Sequence, residues 1–390
     1  MEIMLQRRNI IQRYFTYHAR KMVYDFIIVG MGITGIYTAY KLNQAYPNRK
    51  ILCIESSKRY GGRIRTKHLN KIPIDMGAFR YSPSSHLEVE KLVQQFSILT
   101  QPLDIERETT PHFKVDDAIA AAQSIPISEQ EKLGFISYLY EYGCSCSDIS
   151  SFIKYYGYEI YGDDISLQMM VQESNVTSPY RTFVNGYIEL CDKLVSQLSS
   201  NVTIRYCSPV KCITNSHLQL EHQSIPYHPG QLFVTVPPTQ LAQITPINLT
   251  SSMVAYNALR LYVRFDKQIR QGLYLGCGKH MPLFKLFILA NRMALIYIDA
   301  SNARVIASLV KNNPKQIRNW IRYATNSKVK FVSRIVYQYW SPAIMFWKPT
   351  RSRPNVNDGC NNFTYINGDV SPEPGWVNGS LLMVNSILDK

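Results

Sequence analysis

The chain has 390 residues, of which 46% are hydrophobic and 18% are charged, so it can bury a large core and is not intrinsically disordered. A chain of this length is expected to form about two domains. Its 43 Lys and Arg against 28 Asp and Glu give a net charge of +15, yet no block of basic residues is present, which argues against a specific nucleic-acid partner.

Residues 1–22 are predicted to be a basic N-terminal extension. Before Met22 they contain four Arg and one Lys but only one acidic residue, Glu2. Such a composition is typical of a mitochondrial presequence or a membrane-surface helix; the alternative is a dispensable extension. We find no secretory signal and no run of ~18 apolar residues that could span a membrane. We therefore expect a soluble intracellular protein, cytoplasmic unless the extension directs it to mitochondria.

The first motif is a strand followed by a glycine-rich turn and a helix. Val23–Val29 is a short apolar run typical of a buried parallel strand. Gly30 would make the tight turn, and Gly32 would let the backbone approach a pyrophosphate. Gly35 would let the helix pack closely on the strand. The start of the helix would offer free N–H groups to the phosphates.

A second strand and an acidic residue complete this motif. Lys50–Ile54 is another apolar run, and Glu55 follows it, at the position where an acid binds the ribose hydroxyls. The unit predicts dinucleotide binding, and at this point NAD and FAD both remain open. The predicted contacts are Gly30, Gly32, Ile33, Thr34, Gly35 and Glu55.

A second glycine-rich loop distinguishes between the two cofactors. It consists of Gly61, Gly62 and Arg63, and the segment 74–80 follows. Paired glycines allow a close backbone approach, and an arginine can donate charge-assisted hydrogen bonds to a phosphate. A single nicotinamide-binding domain has no need of this second loop.

Together the two loops resemble the flavin-dependent amine oxidases, which include monoamine, polyamine and L-amino-acid oxidases. In that family Gly-Gly-Arg-x-x-Thr follows the ribose acid, and a segment like 74–80 runs beneath the flavin. The resemblance implies FAD as the cofactor, with contacts at Gly61, Gly62, Arg63, Gly77, Ala78, Phe79 and Arg80. Because the surroundings of Cys360 do not resemble the family's covalent attachment segment, we expect non-covalent FAD.

The C-terminal segment is similar to the family's closing signature. There an acid after glycine contacts the cofactor, and a Gly-Trp/Tyr-Val sequence leads into a last helix. The resemblance implies contacts at Gly368, Asp369, Gly375, Trp376 and Val377. On the residues alone, Asp369 could instead be a cap or turn residue and Trp376 a core aromatic.

The family motifs lie at both ends of the chain, which implies a discontinuous domain. The resemblance implies an α/β fold (α+β overall). Its parts would be a Rossmann-like FAD-binding domain of the glutathione reductase/amine oxidase type and a substrate domain with a mixed sheet and helices. The predicted FAD-binding segments are 23–100, 181–243 and 355–390, and the substrate segments are 101–180 and 244–354. Val210, in a predicted strand Val210–Ile213, stands where the family's backbone meets the adenine.

The predicted strand Ala258–Phe265 carries the main departure from the family. Its alternation puts Arg260, Tyr262 and Arg264 on one face. Arg260 occupies the position of a family lysine that holds a water near the flavin. Arginine stays protonated and cannot act as a base, so this replacement weakens the expectation of fast oxygen chemistry.

Arg80 and Trp376 are, with Arg260, the predicted catalytic residues. The sequence around Arg80 is similar to L-amino-acid oxidases, where an arginine clamps the substrate carboxylate, and a fixed guanidinium suits bidentate binding. The alternative is an arginine that contacts only the flavin or a neighbouring acid. Trp376 would wall the substrate cleft, opposite aromatics drawn from Tyr339, Trp340, Phe346 and Trp347. We expect no metal site, because the close pair Cys144 and Cys146 has no matching second pair.

These expectations predict an FAD-dependent oxidoreductase that oxidises an amine or L-amino acid. Hydride would pass to the flavin, and O2 would reoxidise it with release of peroxide. The alternatives are a flavin desaturase or dehydrogenase similar to protoporphyrinogen or phytoene enzymes, and a flavin-binding protein without turnover. The expected partners are thus a small-molecule substrate and O2, and the sequence does not fix the oligomeric state.

Overall fold

The computed structural model describes residues 24–103, 112–176, 179–228, 230–278, 281–290, 292–350, 357 and 362–389. The predictions for residues 1–22 and for Cys360 lie outside them. The described residues form a mixed α/β fold that contains a parallel sheet, which confirms the predicted fold class. None of their helices is both long and apolar enough to cross a membrane.

The strands fall into two five-stranded sheets and three small ones. In chain order they are β1 (Phe26–Val29), β2 (Ile51–Ile54), β3 (Thr66–Leu69), β4 (Ile72–Asp75), β5 (Thr100–Pro102), β6 (Arg181–Phe183), β7 (Val202–Arg205), β8 (Cys212–Ile213), β9 (His217–Gln219), β10 (Ser224–Pro226), β11 (Leu232–Val234), β12 (Met253–Arg264), β13 (Gly272–Gly278), β14 (Met281–Leu289), β15 (Met293–Asp299), β16 (Val336–Trp347) and β17 (Thr364–Tyr365).

The α-helices lie between these strands and at the end of the described chain. In order they are α1 (Ile33–Ala45), α2 (Leu87–Gln95), α3 (Lys114–Ala122), α4 (Ile127–Gln130), α5 (Phe135–Glu141), α6 (Cys146–Tyr156), α7 (Leu167–Ser174), α8 (Ile188–Ser196), α9 (Pro238–Ile244), α10 (Ala300–Asn312), α11 (Pro314–Thr325) and α12 (Val377–Leu388). Short 3₁₀ helices occupy Glu159–Gly162, Thr250–Ser252 and Gly368–Val370.

The parallel sheet has the strand order β17-β11-β1-β2-β7. Successive side chains of its central strands enter different cores, because side chains alternate across a strand. Ile27 and Leu52 pack in one core, while Ile28 and Cys53 pack in the other with α1, α8 and α12. Burial on both faces explains why these strands are uninterrupted apolar runs.

The second large sheet has the order β13-β14-β15-β12-β16 and is antiparallel throughout. The prediction of a mixed sheet is wrong in this detail. Short connections join β13, β14 and β15, and such connections fit antiparallel neighbours. One face of β12 packs Leu259 and Leu261 against α10 and α11. On its other face Tyr262 donates a hydrogen bond to the carbonyl oxygen of Asp75 at 3.0 Å.

The parallel sheet draws its strands from separated parts of the chain. β1 and β2, β7 and β11, and β17 come from the three segments predicted for the FAD-binding domain. The stretch 112–174 is mostly helical, and 253–347 is rich in strands. The domain boundaries themselves stay a prediction. The strand expected at Val210–Ile213 is shorter and contains only Cys212 and Ile213.

Candidate cofactor and substrate site

A cavity of about 700 Å³ lies where the strands of the parallel sheet end. Gly30 follows β1, Glu55 follows β2 and Thr235 follows β11, and all three line it. Ligands of open α/β sheets bind in the crevice outside the carboxyl ends of the strands. The cavity extends to the antiparallel sheet, which contributes residues from β12, β14, β15 and β16.

The first glycine-rich turn has the conformation that its residue types require. Gly30 has a φ of 96°, in the region that favours glycine. Gly32 caps α1, whose N-terminus points free N–H groups at the cavity. A methyl group at Gly35 would lie 1.9 Å from the carbonyl oxygen of Gly30. Gly35 does not line the cavity, so its role is the close helix–strand packing expected of it.

Glu55 is held by backbone donors beside this turn. The Met31 N–H donates to Oε2 of Glu55 at 2.9 Å, and the Ser57 N–H donates to Oε1 at 2.8 Å. The carboxylate is buried but lines the cavity. This places an acid at the end of β2, where dinucleotide-binding folds bind a ribose.

The second glycine-rich loop packs directly against the first. Gly61 donates its N–H to the carbonyl oxygen of Met31 at 2.7 Å and forms a parallel bridge with Gly32. Gly62 has a φ of 56°, and a methyl group there would lie 3.0 Å from Cα of Gly32. The two loops therefore form a continuous wall of exposed backbone, free of side chains at the points of closest approach.

Arg63 links this loop to the C-terminal segment. Its Nη1 donates to Oδ1 of Asp369 at 2.7 Å and to the carbonyl oxygen of Ala343 at 2.8 Å. Asp369 is 1% exposed, and its Oδ2 has no hydrogen-bond partner in the described part of the chain. A buried carboxylate oxygen without a donor is costly. Because Asp369 lines the cavity, a ligand hydroxyl or amide could supply the missing donor.

The segment 74–80 runs beneath the second loop. A methyl group at Gly77 would lie 1.6 Å from the carbonyl oxygen of Arg63, so only glycine fits there. Asp75 is 6% exposed and accepts hydrogen bonds from Thr66 Oγ1 at 2.6 Å and from the Tyr187 N–H at 2.9 Å. Burial raises the pKa of Asp75 to about 6.

Arg80 lies among aromatic rings on the cavity wall. Its guanidinium carbon is 4.4 Å from the ring centre of Tyr180 and 5.9 Å from that of Trp376. Within the described part of the chain Arg80 has no hydrogen bond and no ion pair. Stacked arginines of this kind retain all their donors for a ligand.

Trp376 is fixed by an acid that the sequence did not reveal. Its Nε1 donates to Oε2 of Glu173, on α7, at 2.7 Å. Burial raises the pKa of the Glu173 carboxyl. The other side of Trp376 faces His86, at 4.4 Å between ring centres. Burial and the charge of Arg80 lower the pKa of His86 to about 4, so this imidazole is neutral at pH 7.

Arg260 enters the cavity from β12. It is 6% exposed, and its guanidinium lies over the ring of Tyr297 and donates from Nη2 to the Tyr297 hydroxyl. Its Nη1 has no partner. Tyr297 is in register with both Arg260 and Lys285. The Lys285 Nζ lies 3.2 Å from the ring centre of Tyr158, a second cavity residue.

The cavity brings together nearly all of the residues predicted from the sequence. Those that line it are Gly30, Gly32, Ile33, Thr34, Glu55, Gly61, Gly62, Arg63, Gly77, Ala78, Phe79, Arg80, Arg260, Gly368, Asp369, Gly375, Trp376 and Val377. Of the expected aromatic wall, Tyr339, Trp340 and Phe346 line it, whereas Trp347 does not. Their roles toward a ligand stay predictions.

Val210 is not among the residues that line the cavity, and its contact with a ligand stays a prediction. This residue packs against the apolar core. The chain instead meets the Glu55 region earlier, where Cys207 and Ser208 donate their N–H groups to the carbonyl oxygens of Ser57 and Glu55. Beyond that point the backbone turns into the small sheet of β8, β9 and β10.

Sequence reasoning missed several cavity residues. Tyr158, Glu173 and Tyr297 line the cavity but belong to no recognisable motif. Lys285 lies outside the lining and contacts the cavity residue Tyr158. Its one sequence signal was that it interrupts an apolar run, and the structure shows it 2% exposed. Among the described residues no group of three or more His, Cys, Asp or Glu is arranged to hold a metal ion.

Comparison with known proteins supports the nucleotide-binding assignment. Residues 28–96 match the family model of the NAD(P)-binding Rossmann-like domain. This stretch contains both glycine-rich loops and Glu55. The chain therefore contains a Rossmann-like, dinucleotide-binding domain of the oxidoreductase type.

Similar proteins include one that matches over nearly its whole length. Uncharacterized protein R188 of Acanthamoeba polyphaga mimivirus is 23% identical over an alignment 477 positions long, gaps included, which covers 94% of this chain and 93% of that protein. Achacin of Lissachatina fulica is 34% identical over 77 residues, and Coproporphyrinogen III oxidase of Mycobacterium tuberculosis is 41% identical over 55 residues. These two matches span 14% and 12% of those proteins and 19% and 14% of this chain.

Proposed function

We propose that the protein binds FAD non-covalently in the cavity and oxidises the C–N bond of a small amine or L-amino acid. The observation that carries this proposal is that two glycine-rich loops meet Arg80 in one cavity, and that the Arg80 guanidinium has no hydrogen bond or ion pair among the described residues. The loops supply a cofactor cradle, and Arg80 supplies a substrate anchor beside it. The site would thus combine a redox cofactor with a carboxylate-binding group.

The cofactor cradle fits a flavin dinucleotide in two respects. Its backbone wall at Gly32 and Gly62 leaves room for a pyrophosphate at the N-terminus of α1, with Glu55 beside the adenosine ribose. Asp369 also lines the cavity, and its Oδ2, which has no partner among the described residues, could accept a hydrogen bond from a ribityl hydroxyl. Two acids in the lining of one cavity suit a ligand that carries hydroxyl groups at two places.

The chemistry would come from the cofactor and the positioning from the chain. When bound, FAD would supply the redox chemistry, taking a hydride from the carbon beside a neutral amine. Water would convert the resulting imine to a carbonyl compound and an amine or ammonia. O2 would accept the two electrons and form peroxide. Arg80 would bind the carboxylate of an amino acid through two parallel N–H donors. Trp376, held by Glu173, would form the adjoining wall.

A second candidate is a flavin-dependent oxidase or desaturase that acts on a carboxylated, apolar substrate. Arg260 occupies the position of the family lysine, and arginine cannot relay protons as a base. The local similarity to Coproporphyrinogen III oxidase points in the same direction. Loss of the lysine would be tolerated by a reaction that does not depend on it.

The test is the visible spectrum of the purified protein, followed by anaerobic addition of matched substrates. L-leucine and 3-methylbutylamine form a useful pair, because they differ only in the carboxylate. We expect the flavin to be bleached, with Arg80→Gln lowering kcat/KM for L-leucine about 10- to 100-fold but changing little for the amine. Arg80→Lys keeps the charge and should recover only part of the loss.

Three outcomes separate the candidates. Bleaching by amines or amino acids with peroxide release supports the first proposal. Bleaching only by a porphyrinogen or another carboxylated apolar substrate supports the second. A flavin that no substrate reduces contradicts both proposals and favours a binding protein without turnover.

A further inference from the structure

Arg260 holds a donor that nothing in the described structure uses. Its side chain is 6% exposed and lines the cavity, Nη2 is bonded to the Tyr297 hydroxyl, and Nη1 has no partner. An arginine cannot shed its charge to relieve burial. A buried charged donor without an acceptor is unfavourable enough that native structures nearly always supply one, often from a ligand.

Arg80 is a second cation with unused donors in the same cavity. Within the described residues its contacts are with the rings of Tyr180, Phe287 and Trp376, and it has no hydrogen bond or ion pair. Arg80 and Arg260 both line the cavity together with Tyr158. The ring centre of Tyr158 is 6.0 Å from that of Tyr297, the ring over which Arg260 lies. The two guanidinium groups therefore belong to the wall of one aromatic pocket.

Acids also lie near this pocket, but within the described residues none of them accepts a hydrogen bond from Arg80 or Arg260. Lys285 adds a third cation, 3.2 Å from the ring centre of Tyr158. The acids offset part of the positive charge, since the charges of Arg80 and Lys285 lower the pKa of Glu173 against the larger effect of burial. Each acid is hydrogen-bonded to another donor, which leaves the arginine donors available to a ligand. Those acids are Asp75, bonded to Thr66 and Tyr187, Asp299, bonded to the N–H groups of Glu159 and Ile160, and Glu173, bonded to Trp376.

We propose that the substrate of this cavity carries two anionic groups, one bound by Arg80 and the other by Nη1 of Arg260. The inference rests on the proposed function and narrows its substrate class to dicarboxylates. Among amino acids this means an acidic one; among larger substrates it means one with at least two carboxylate side chains. Arg260 would then determine which substrates bind and would not act as a base.

The first test uses the purified protein and ligands that cannot react. Isothermal titration calorimetry would compare straight-chain dicarboxylates from succinate to suberate with monocarboxylates of the same carbon number. Two fixed cations predict an optimum at one chain length, and binding about 10- to 100-fold tighter there than for the matching monocarboxylate. This measurement needs no variant, so it does not depend on whether a substitution at Arg260 folds.

A substitution at Arg260 then tests whether this residue binds the second carboxylate of the ligand. Arg260→Gln should remove the advantage of the dicarboxylate while leaving monocarboxylate binding within about twofold. Arg264→Gln is the matched control, because it removes the same charge from the same face of β12 at a position outside the cavity lining. It should leave both affinities unchanged.

Two results would overturn the inference. One is equal binding of monocarboxylates and dicarboxylates with no optimum in chain length. The other is an Arg260→Gln variant that keeps its dicarboxylate affinity but shows a shifted reduction potential, which would make the cofactor the partner of Nη1. The flavin spectrum is recorded on the same samples, so a failure of FAD binding is recognised separately from a failure of dicarboxylate binding.

Discussion

Replacing Asp75 by Asn tests the buried acid beneath the second glycine-rich loop. The change keeps the shape of the side chain and an oxygen that can accept from Thr66 Oγ1 and the Tyr187 N–H, but it removes the titrating group. Asp75 is 6% exposed, so solvent screens it little. We expect the effect on stability to appear as a change in pH dependence.

The magnitude follows from the pKa. Burial raises the pKa of Asp75 from 3.8 to about 6, so the folded state holds the proton more tightly than the unfolded state. Between these values the folded protein binds more protons, and stability falls as pH rises. At 1.36 kcal/mol per unit, the penalty reaches about 3 kcal/mol above pH 6 and is absent below pH 4. Asp75→Asn should therefore gain about 3 kcal/mol relative to wild type between about pH 4 and 7.

The assay is urea unfolding of both proteins at several pH values. Their difference in unfolding free energy cancels the titration of other groups, including Asp299, whose pKa burial also raises to about 6. Asp266→Asn is the control: this exposed acid accepts backbone hydrogen bonds from Lys330 and Lys267, chiefly the first, which lower its pKa. Its variant should lose stability relative to wild type as pH rises through the carboxyl range. A difference between Asp75→Asn and wild type that stays constant with pH would refute the reasoning.

Three further substitutions probe the cradle. Gly35→Ala should cost about 1–3 kcal/mol of unfolding free energy, because its methyl group would meet the carbonyl oxygen of Gly30 at 1.9 Å; unchanged urea stability would contradict this packing. Glu55→Gln puts an amide donor against a backbone N–H, so it should lower the free energy of unfolding by about 1–3 kcal/mol. It should also lower the flavin content that remains after gel filtration. Asp369→Asn should lower the free energy of unfolding by about 1–3 kcal/mol. The loss should be smaller than that for a fully buried ion pair, because the Arg63 side chain is 33% exposed. An Asp369→Asn variant as stable as wild type would show that the pair with Arg63 contributes nothing.

The nucleotide cradle could be predicted because its information is local. Gly30, Gly32, Gly35 and Glu55 lie within one strand–helix–strand unit, where residue type follows from backbone geometry. A glycine is required at position 30 by its φ of 96° and at position 35 by the 1.9 Å approach. Such constraints can be read from the order of residues alone.

The substrate side could not be predicted because long-range register creates it. Arg260 meets Tyr297 only because β12 and β15 pair antiparallel in one particular register, and the same row continues to Lys285 on β14. Tyr158 and Glu173 reach the cavity from a 3₁₀ turn and a helix that carry no motif. The strand predicted at Val210–Ile213 contains only Cys212 and Ile213 for a related reason, since position relative to a family motif does not determine where a short strand begins.

The most direct test of the central claim compares the visible spectra of wild-type protein and the Gly32→Ala variant. Within the described chain a methyl group at Gly32 would meet nothing closer than Cα of Gly62 at 4.0 Å, so the fold can accept it while a bound pyrophosphate cannot. We predict a flavin spectrum with one FAD per chain for wild type. The variant should lose most of its flavin and yet equal wild type in urea stability when both are compared as apoproteins, because bound FAD itself would stabilise the folded wild type. A colourless wild-type protein that FAD does not reconstitute, or a variant that retains full flavin, would contradict the account.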